Sequence, residues 1–286
     1  MGFRSIAAMA LAGLIALASG AWPGSALAAP SAFKPHHLPD GHPNFNGVWQ
    51  AMNSAGYDIE PHTARAALAF RPGPVVPVPA KEVVALGAVG SVPAGLGVVE
   101  GGEIPYTPAA KAQRDDNRAH YLERDPEVKC YLPGVPRANY MALPFQIFQS
   151  AKEMLFAYEY AGAVRNIMFT NPGPAPIDSW MGQSVAHWEG DTLVVEVTGQ
   201  NDSTWFDRAG NFHSADMKVV ERYTLIDPDT IRYEAEITDP ATFTRPWKLS
   251  MNLYRRKGED ARLQQFKCVE FVEELMYGQY RKEPLK

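Results

Sequence analysis

From Phe145 to Val269 the chain is a succession of short runs rich in β-branched and aromatic residues, separated by turn signals, and this pattern restricts the fold class more than any other feature. Strands are expected at Phe145–Gln149, Met154–Tyr160, Arg165–Phe169, Thr192–Thr198, Lys218–Leu225, Thr230–Thr238, Trp247–Arg255 and Arg262–Val269, punctuated by turns such as Asp227-Pro228-Asp229. So many short strands in roughly 130 residues predict a mainly β domain, an antiparallel sandwich or barrel. A further strand is expected upstream at Phe45–Gln50.

The chain opens with Arg4, an apolar run from Ile6 to Trp22 and small residues from Ala26 to Ala29 before Pro30. This reads as a cleavable signal peptide over residues 1–29, with residues 30–286 as a single domain. The apolar run lies at the lower edge of the ~17–25 residues a spanning helix needs, so no stable membrane anchor is expected and the location is periplasmic or secreted. A net charge of −5 and a pI near 5.8 argue against nucleic acid as a partner. That leaves small-molecule or protein partners, and a homo-oligomer stays open. The two cysteines, Cys130 and Cys268, form a natural disulfide in an oxidising compartment; two unrelated buried thiols are the alternative.

Residues 33–46 are rich in Pro, His and Asp. Adjacent His36 and His37 point opposite ways on an extended chain, so with His42 they suit a surface arm better than a chelate. Residues 71–102 are rich in Pro, Gly, Val and Ala and read as a long crossing loop that could act as a lid. Thr107 is an N-cap with Pro108 at the first helical position, giving one peripheral helix over 107–124, and Glu270–Tyr280 could form another.

The segments EIPYTPAA, KCYLPGVPR, HWEGDTLVVEVTG, NDSTWFDRAGNFHS, ERY and TRPWK resemble a family of secreted bacterial hypothetical proteins. The FNGVW strand followed by an up-and-down series also resembles the opening of lipocalin or calycin-like barrels. The resemblance implies an antiparallel lipocalin-like barrel, with a long irregular N-terminal arm, enclosing a small hydrophobic ligand.

The densest set of ionisable groups lies between His187 and Tyr223. In Thr192–Thr198, Leu193, Val195 and Val197 share one face and Glu196 lies on the other. The connection that follows, roughly 19 residues, exceeds the usual ~4–6 and is a natural place for function. It carries Asp202, Trp205, Asp207, Arg208 and His213. His213, near Asp202 and Asp207, is the best acid–base candidate, with Arg208 or Arg165 to stabilise an oxyanion; a loop histidine bonded to a backbone carbonyl is the alternative. Tyr158, Tyr160 and Trp205 suit a pocket wall. Glu159, Arg165 and Glu196 would form a carboxylate–guanidinium–carboxylate cluster at the ligand's polar end, or a structural ion-pair network. His187 reads as a strand-end packing residue, with metal binding through His187 and His213 a minor option.

Dinucleotide, P-loop, zinc-protease and nucleophile-elbow motifs do not occur in the sequence. Two functions fit what remains. One is a periplasmic lyase or isomerase, independent of cofactor and metal, working by acid–base chemistry on a hydrophobic, phenolic or other aromatic small molecule. The other is a non-catalytic carrier or sensor of such a ligand.

Overall fold

The computed structural model describes residues 33–65, 70–71, 78–79 and 92–268, all within one compact unit. The strands, in chain order, are β1 (Gly47–Ala51), β2 (Phe70–Arg71), β3 (Val78–Pro79), β4 (Phe145–Gln149), β5 (Glu153–Tyr158), β6 (Val164–Met168), β7 (Gln183–Glu189), β8 (Thr192–Thr198), β9 (Lys218–Asp227), β10 (Thr230–Thr238) and β11 (Trp247–Arg255). Nine of them close into a barrel in the order β1-β11-β10-β9-β8-β7-β6-β5-β4, while β2 and β3 pair only with each other. The mainly β barrel expected from the strand pattern is therefore present. One contact departs from antiparallel order: β6 and β7 run parallel, with Ile167 opposite Ser184 and Met168 opposite Val185. The link over residues 169–182 crosses over there instead of turning back as a hairpin would.

Strict alternation places one face of each long strand inside the barrel. Val219, Glu221, Tyr223 and Leu225 of β9, Ile231, Tyr233, Ala235 and Ile237 of β10, and Trp247, Leu249, Met251 and Leu253 of β11 are all buried. Each large apolar side chain removed from water contributes roughly 1.5–3 kcal/mol. Ring contacts knit the interior: Phe145 lies 5.7 Å from Phe156, and Tyr223 5.0 Å from Tyr233.

Three details differ from expectation. β7 was not anticipated, because Gln183–Glu189 carries only Val185 as a β-branched residue. The strand expected at Arg262–Val269 is irregular as far as Cys268, and residue 269 lies outside the described residues. Closure explains this: β1 already pairs with β11 on one side and β4 on the other, leaving no edge for another strand. Third, the helix expected over 107–124 divides into α1 (Pro108–Ala119), capped by Thr107, and the single turn α2 (Tyr121–Arg124), because His120 takes a non-helical backbone (φ −119°, ψ 27°). The expected signal peptide, the helix expected at Glu270–Tyr280 and most of the loop expected over 71–102 lie outside the described residues.

The histidine arm lies against the barrel, with the His42 ring stacked 4.5 Å from Trp188 and His37 Nε2 2.9 Å from the Asp191 carboxylate. At the other end of the chain, the segment after β11 returns to the middle. Gln264 N–H donates to Glu159 Oε2 at 2.7 Å, Phe266 stacks on Tyr160 at 5.4 Å, and Cys268 is disulfide-bonded to Cys130. This bond spans 138 residues, so in the chain-entropy model it contributes about 4–5 kcal/mol. Cys268→Ser is expected to lower the thermal midpoint by about 10 °C while leaving the far-ultraviolet circular dichroism of the barrel unchanged; an unchanged midpoint would show that the tail restrains nothing.

Candidate functional site

Ionisable side chains gather in three buried clusters, and the first lies inside the barrel. Across the sheet, Glu221 sits between Val195 and Ala235, and these short neighbours leave room for long donors. Its Oε1 accepts from Asn139 Nδ2 (2.8 Å), Tyr223 Oη (2.9 Å) and Tyr233 Oη (2.7 Å), and its Oε2 accepts from Arg165 Nη2. Arg165 Nε donates to Ser184 Oγ (2.7 Å), and Tyr158 Oη donates to Asn139 Oδ1 (2.9 Å). Asn139 comes from a short 3₁₀ turn, Arg137–Tyr140, whose residues are all buried. Burial alone would lower the Arg165 pKa, but Glu221 and the phenols of Tyr223 and Tyr158 outweigh it and raise it well above the usual value. Burial, then Glu221, raises the phenol pKa of Tyr223 and Tyr233, so both stay neutral donors.

The second cluster is the loop after β8. Trp205 and Phe212 pair across a tight turn, closed by Phe206 N–H donating to Asn211 O at 2.7 Å. Gly210 has φ +86°, and a Cβ there would lie 2.6 Å from Arg118 N and 2.8 Å from Arg114 O, so only glycine lets this turn press onto α1. Asp207 is fully buried. Its Oδ1 accepts from Ala209 N (2.8 Å) and Asn211 N (3.3 Å), and its Oδ2 from Ile59 N (2.9 Å) and Asn211 Nδ2 (2.6 Å). Burial and the nearby Asp58 carboxylate nevertheless push its pKa up to about 7. His213 is buried too. Its Nδ1–H donates to Ser214 O at 2.8 Å, which leaves Nε2 to accept from Thr204 Oγ1 at 2.6 Å. Burial lowers its pKa, favouring the neutral ring.

The third cluster joins that loop to the segment before the 3₁₀ turn. Arg208 grips Glu127 with Nε (2.7 Å) and Nη2 (2.9 Å), and Glu127 also accepts from Arg137 Nη2 at 2.7 Å. Arg137 in turn donates to both oxygens of Asp125 at 3.0 and 3.3 Å. Burial pushes Glu127 up, but Arg208 and Arg137 prevail and hold it below the usual carboxylate range.

The residues singled out from sequence are thus distributed among these clusters. His213, Asp207 and Arg208 share one loop yet bond to different partners, and Asp202 is exposed. The expected pairing of Arg165 with Glu159 and Glu196 is not observed. Arg165 pairs with Glu221, Glu159 meets the tail at Gln264, and Glu196 is exposed on the outer face of β8. Tyr158 lies in the interior network, Tyr160 donates to Glu127 O at 3.1 Å, and Trp205 is buried in the loop. His187 is exposed on β7 and lies 3.3 Å from Glu189. The key residue missed was Glu221. The alternation Val219, Glu221, Tyr223, Leu225 already put an acid on an apolar face, which is the available sequence signal.

Clefts formed by described residues include three that open on the outside. One, of about 690 Å³, lies between β1, β11 and residues 93–98. A second, of about 760 Å³, contains His187, Glu196 and Asp178. The third, of about 740 Å³, lies between residues 101–106 and α1 and contains Glu60, Glu103, Tyr106, Lys111 and Arg114. Of the groups with shifted pKa values, Tyr106 alone lines one of these clefts. Comparison with known protein families, curated proteins and solved structures finds no match to this chain.

Two predictions follow from the buried clusters. Arg165→Met and Glu221→Gln each strand a polar partner inside the barrel and are expected to cost about 3–5 kcal/mol in urea unfolding; the double variant should lose clearly less than the sum of the two. The second concerns pH. An unfolded aspartate titrates near 3.8 and folded Asp207 near 7, so between these values the folded chain holds the extra proton and this group's contribution to stability falls as pH rises. His213 acts oppositely, its contribution being lost as pH falls below the unfolded value of 6.5. Unfolding free energies from about pH 4 to 8 should therefore show the wild type losing ground to Asp207→Asn as pH rises; parallel curves would contradict the raised pKa.

Proposed function

We propose that this is an extracytoplasmic binding protein for an uncharged, amphipathic small molecule, with the cleft between β1, β11 and residues 93–98 as its site. One observation carries the reading: among the described residues, no charged side chain lines this cleft. Its walls are apolar, with Ala51, Met52, Leu96, Val98 and Met251 among them, and the polar groups are neutral amides and hydroxyls from residues such as Gln50, Asn53 and Asn252. Leu96 is 96% exposed and Met52 70%, leaving apolar surface that a ligand would cover. About 690 Å³ falls within the range of small-molecule sites.

The wall of this cleft is built from the backbone. Val98 N–H donates to Ile59 O at 2.8 Å, Ser250 N–H to Val98 O at 2.9 Å, and Gly95 exchanges hydrogen bonds with His62 at 2.9 and 3.0 Å. Residues 93–98 are thereby held facing β11, and a ligand would meet a preformed surface. The disulfide and the expected signal peptide support an oxidising, extracytoplasmic setting.

A second reading, acid–base catalysis as a lyase or isomerase on a phenolic substrate, is favoured by Asp207, whose pKa near 7 suits proton exchange at neutral pH. Binding has the stronger support, because the shifted carboxyl and imidazole groups bond to protein partners away from the clefts. The test is titration with the neutral fluorophore N-phenyl-1-naphthylamine. Saturable fluorescence enhancement is expected for the wild type, with affinity weakened at least about tenfold in Leu96→Asp. The side chain of Leu96 is almost wholly in water, so the variant's unfolding midpoint should not move. Equal affinity in the two proteins would overturn the reading, and turnover of a phenolic compound abolished by Asp207→Asn would favour the enzyme instead.

A further inference from the structure

We propose that the cleft between α1 and residues 101–106 is a second binding site, selective for a hydrophobic monocarboxylate and centred on Arg114. Among the described residues, the fully buried guanidiniums of Arg137 and Arg165 each hold a carboxylate through hydrogen bonds, although Arg137 Nε, like Arg114 Nε, has no partner. Arg114 holds no carboxylate in that way. Its side chain is only 11% exposed, yet Nε makes no hydrogen bond. Its nearest carboxylates are charge contacts only: Glu60 Oε2 lies 3.7 Å from Nη2, and Asp115 Oδ1 lies 3.3 Å from Nε in poor alignment. Glu60 commits its other oxygen to Ile104 N at 2.8 Å and cannot chelate the guanidinium with both. One of its five donors, Nε–H, is thus withdrawn from water without a hydrogen-bond acceptor among the described residues.

The cleft opens beside this group. A planar guanidinium accepts a carboxylate through two parallel hydrogen bonds, a geometry that an ammonium cannot offer. Arg114 is kept in place by the face of Tyr106, whose ring centre lies 5.9 Å from the guanidinium carbon. Tyr106 is in turn fixed by its own hydroxyl, which donates to Asn211 Oδ1 at 3.0 Å and accepts from Phe212 N at 3.3 Å. The lining is mixed: Pro61, Ile104, Pro105 and the Tyr106 ring offer a hydrophobic body an apolar patch among the charged groups of Glu60, Glu103, Lys111 and Arg114. Charge sets the selectivity. Lys111 is partnered by Asp115 at 3.1 Å, while Glu60 and Glu103 repel a second negative charge, so a monoanion fits and a dianion does not.

The test uses benzoate and benzamide, which share a shape and differ in charge, titrated into the processed protein by calorimetry at pH 7. Benzoate is expected to bind at least tenfold more tightly than benzamide. Arg114→Gln should abolish the preference, and Glu103→Gln, at an exposed position, should strengthen benzoate binding by removing repulsion. Near-ultraviolet circular dichroism of Arg114→Gln shows whether its fold is intact, and the Glu103→Gln result stands independently of it. Equal affinity for the two compounds, no benzoate binding, or a preference that survives in folded Arg114→Gln would each overturn the proposal. N-phenyl-1-naphthylamine titration of the same variants separates this outcome from failure at the cleft beside β11.

Discussion

The ion pair between Arg165 and Glu221 is the interaction on which the barrel interior depends. Taking two charges out of water costs several kcal/mol per ion, and their attraction offsets that cost only when the remaining hydrogen-bonding capacity is filled. Here it is filled from four directions. Glu221 draws on β6 through Arg165, on its own strand through Tyr223, on β10 through Tyr233 and on the 3₁₀ turn through Asn139. A one-residue slip of β9 would carry Glu221 to the outer face and leave Arg165 without a counter-charge, so the network penalises alternative registers in a way that an all-apolar interior could not. Asn139 adds a further consequence, because its turn leads directly from Arg137 and so couples the barrel interior to the ion network outside.

That outer network explains how long irregular segments can be ordered. Arg137 joins Asp125 and Glu127, Glu127 joins Arg208, and Arg208 belongs to the loop whose Asp207 ties down Ile59. Three stretches of chain distant in sequence are fixed by side chains accepting backbone N–H groups or pairing with one another, where regular ladders would otherwise be needed. Cys130 and Cys268 extend the same arrangement to the tail. Charge in this molecule therefore works mainly as internal fastening, which is why so many of the ionisable groups in the long loop have protein partners.

How much of this was legible follows from the range of each signal. Strand identity is local: the runs at Phe145–Gln149, Thr192–Thr198, Lys218–Leu225 and Trp247–Arg255 carry mostly apolar residues at spacing two, and all four are strands. Strand pairing is not local. The failure at Arg262–Val269 came from barrel closure, a property of β1, β4 and β11 together, and β7 is a strand chiefly because β8 offers it a partner. The same limit governs the site. Alternation assigned Leu193, Val195 and Val197 to one face correctly, but it could not say that the carboxylate opposite Arg165 would be Glu221 rather than Glu159 or Glu196. Of the two readings the sequence left for His213, a bond to a backbone carbonyl has its partner at Ser214 O, which leaves the acid–base reading untouched.

Burial decides how these groups bear on function. A carboxyl such as Asp207 owes its near-neutral pKa to exclusion from water and to Asp58, and the same exclusion, with four donors already on its oxygens, separates it from the open clefts. Shifted titration and exposure to the described clefts are thus opposed in this loop. The clefts divide in a complementary way: among the described residues the one beside β11 is lined by no charged side chain, while the one on α1 contains Arg114, whose Nε has no hydrogen-bond acceptor.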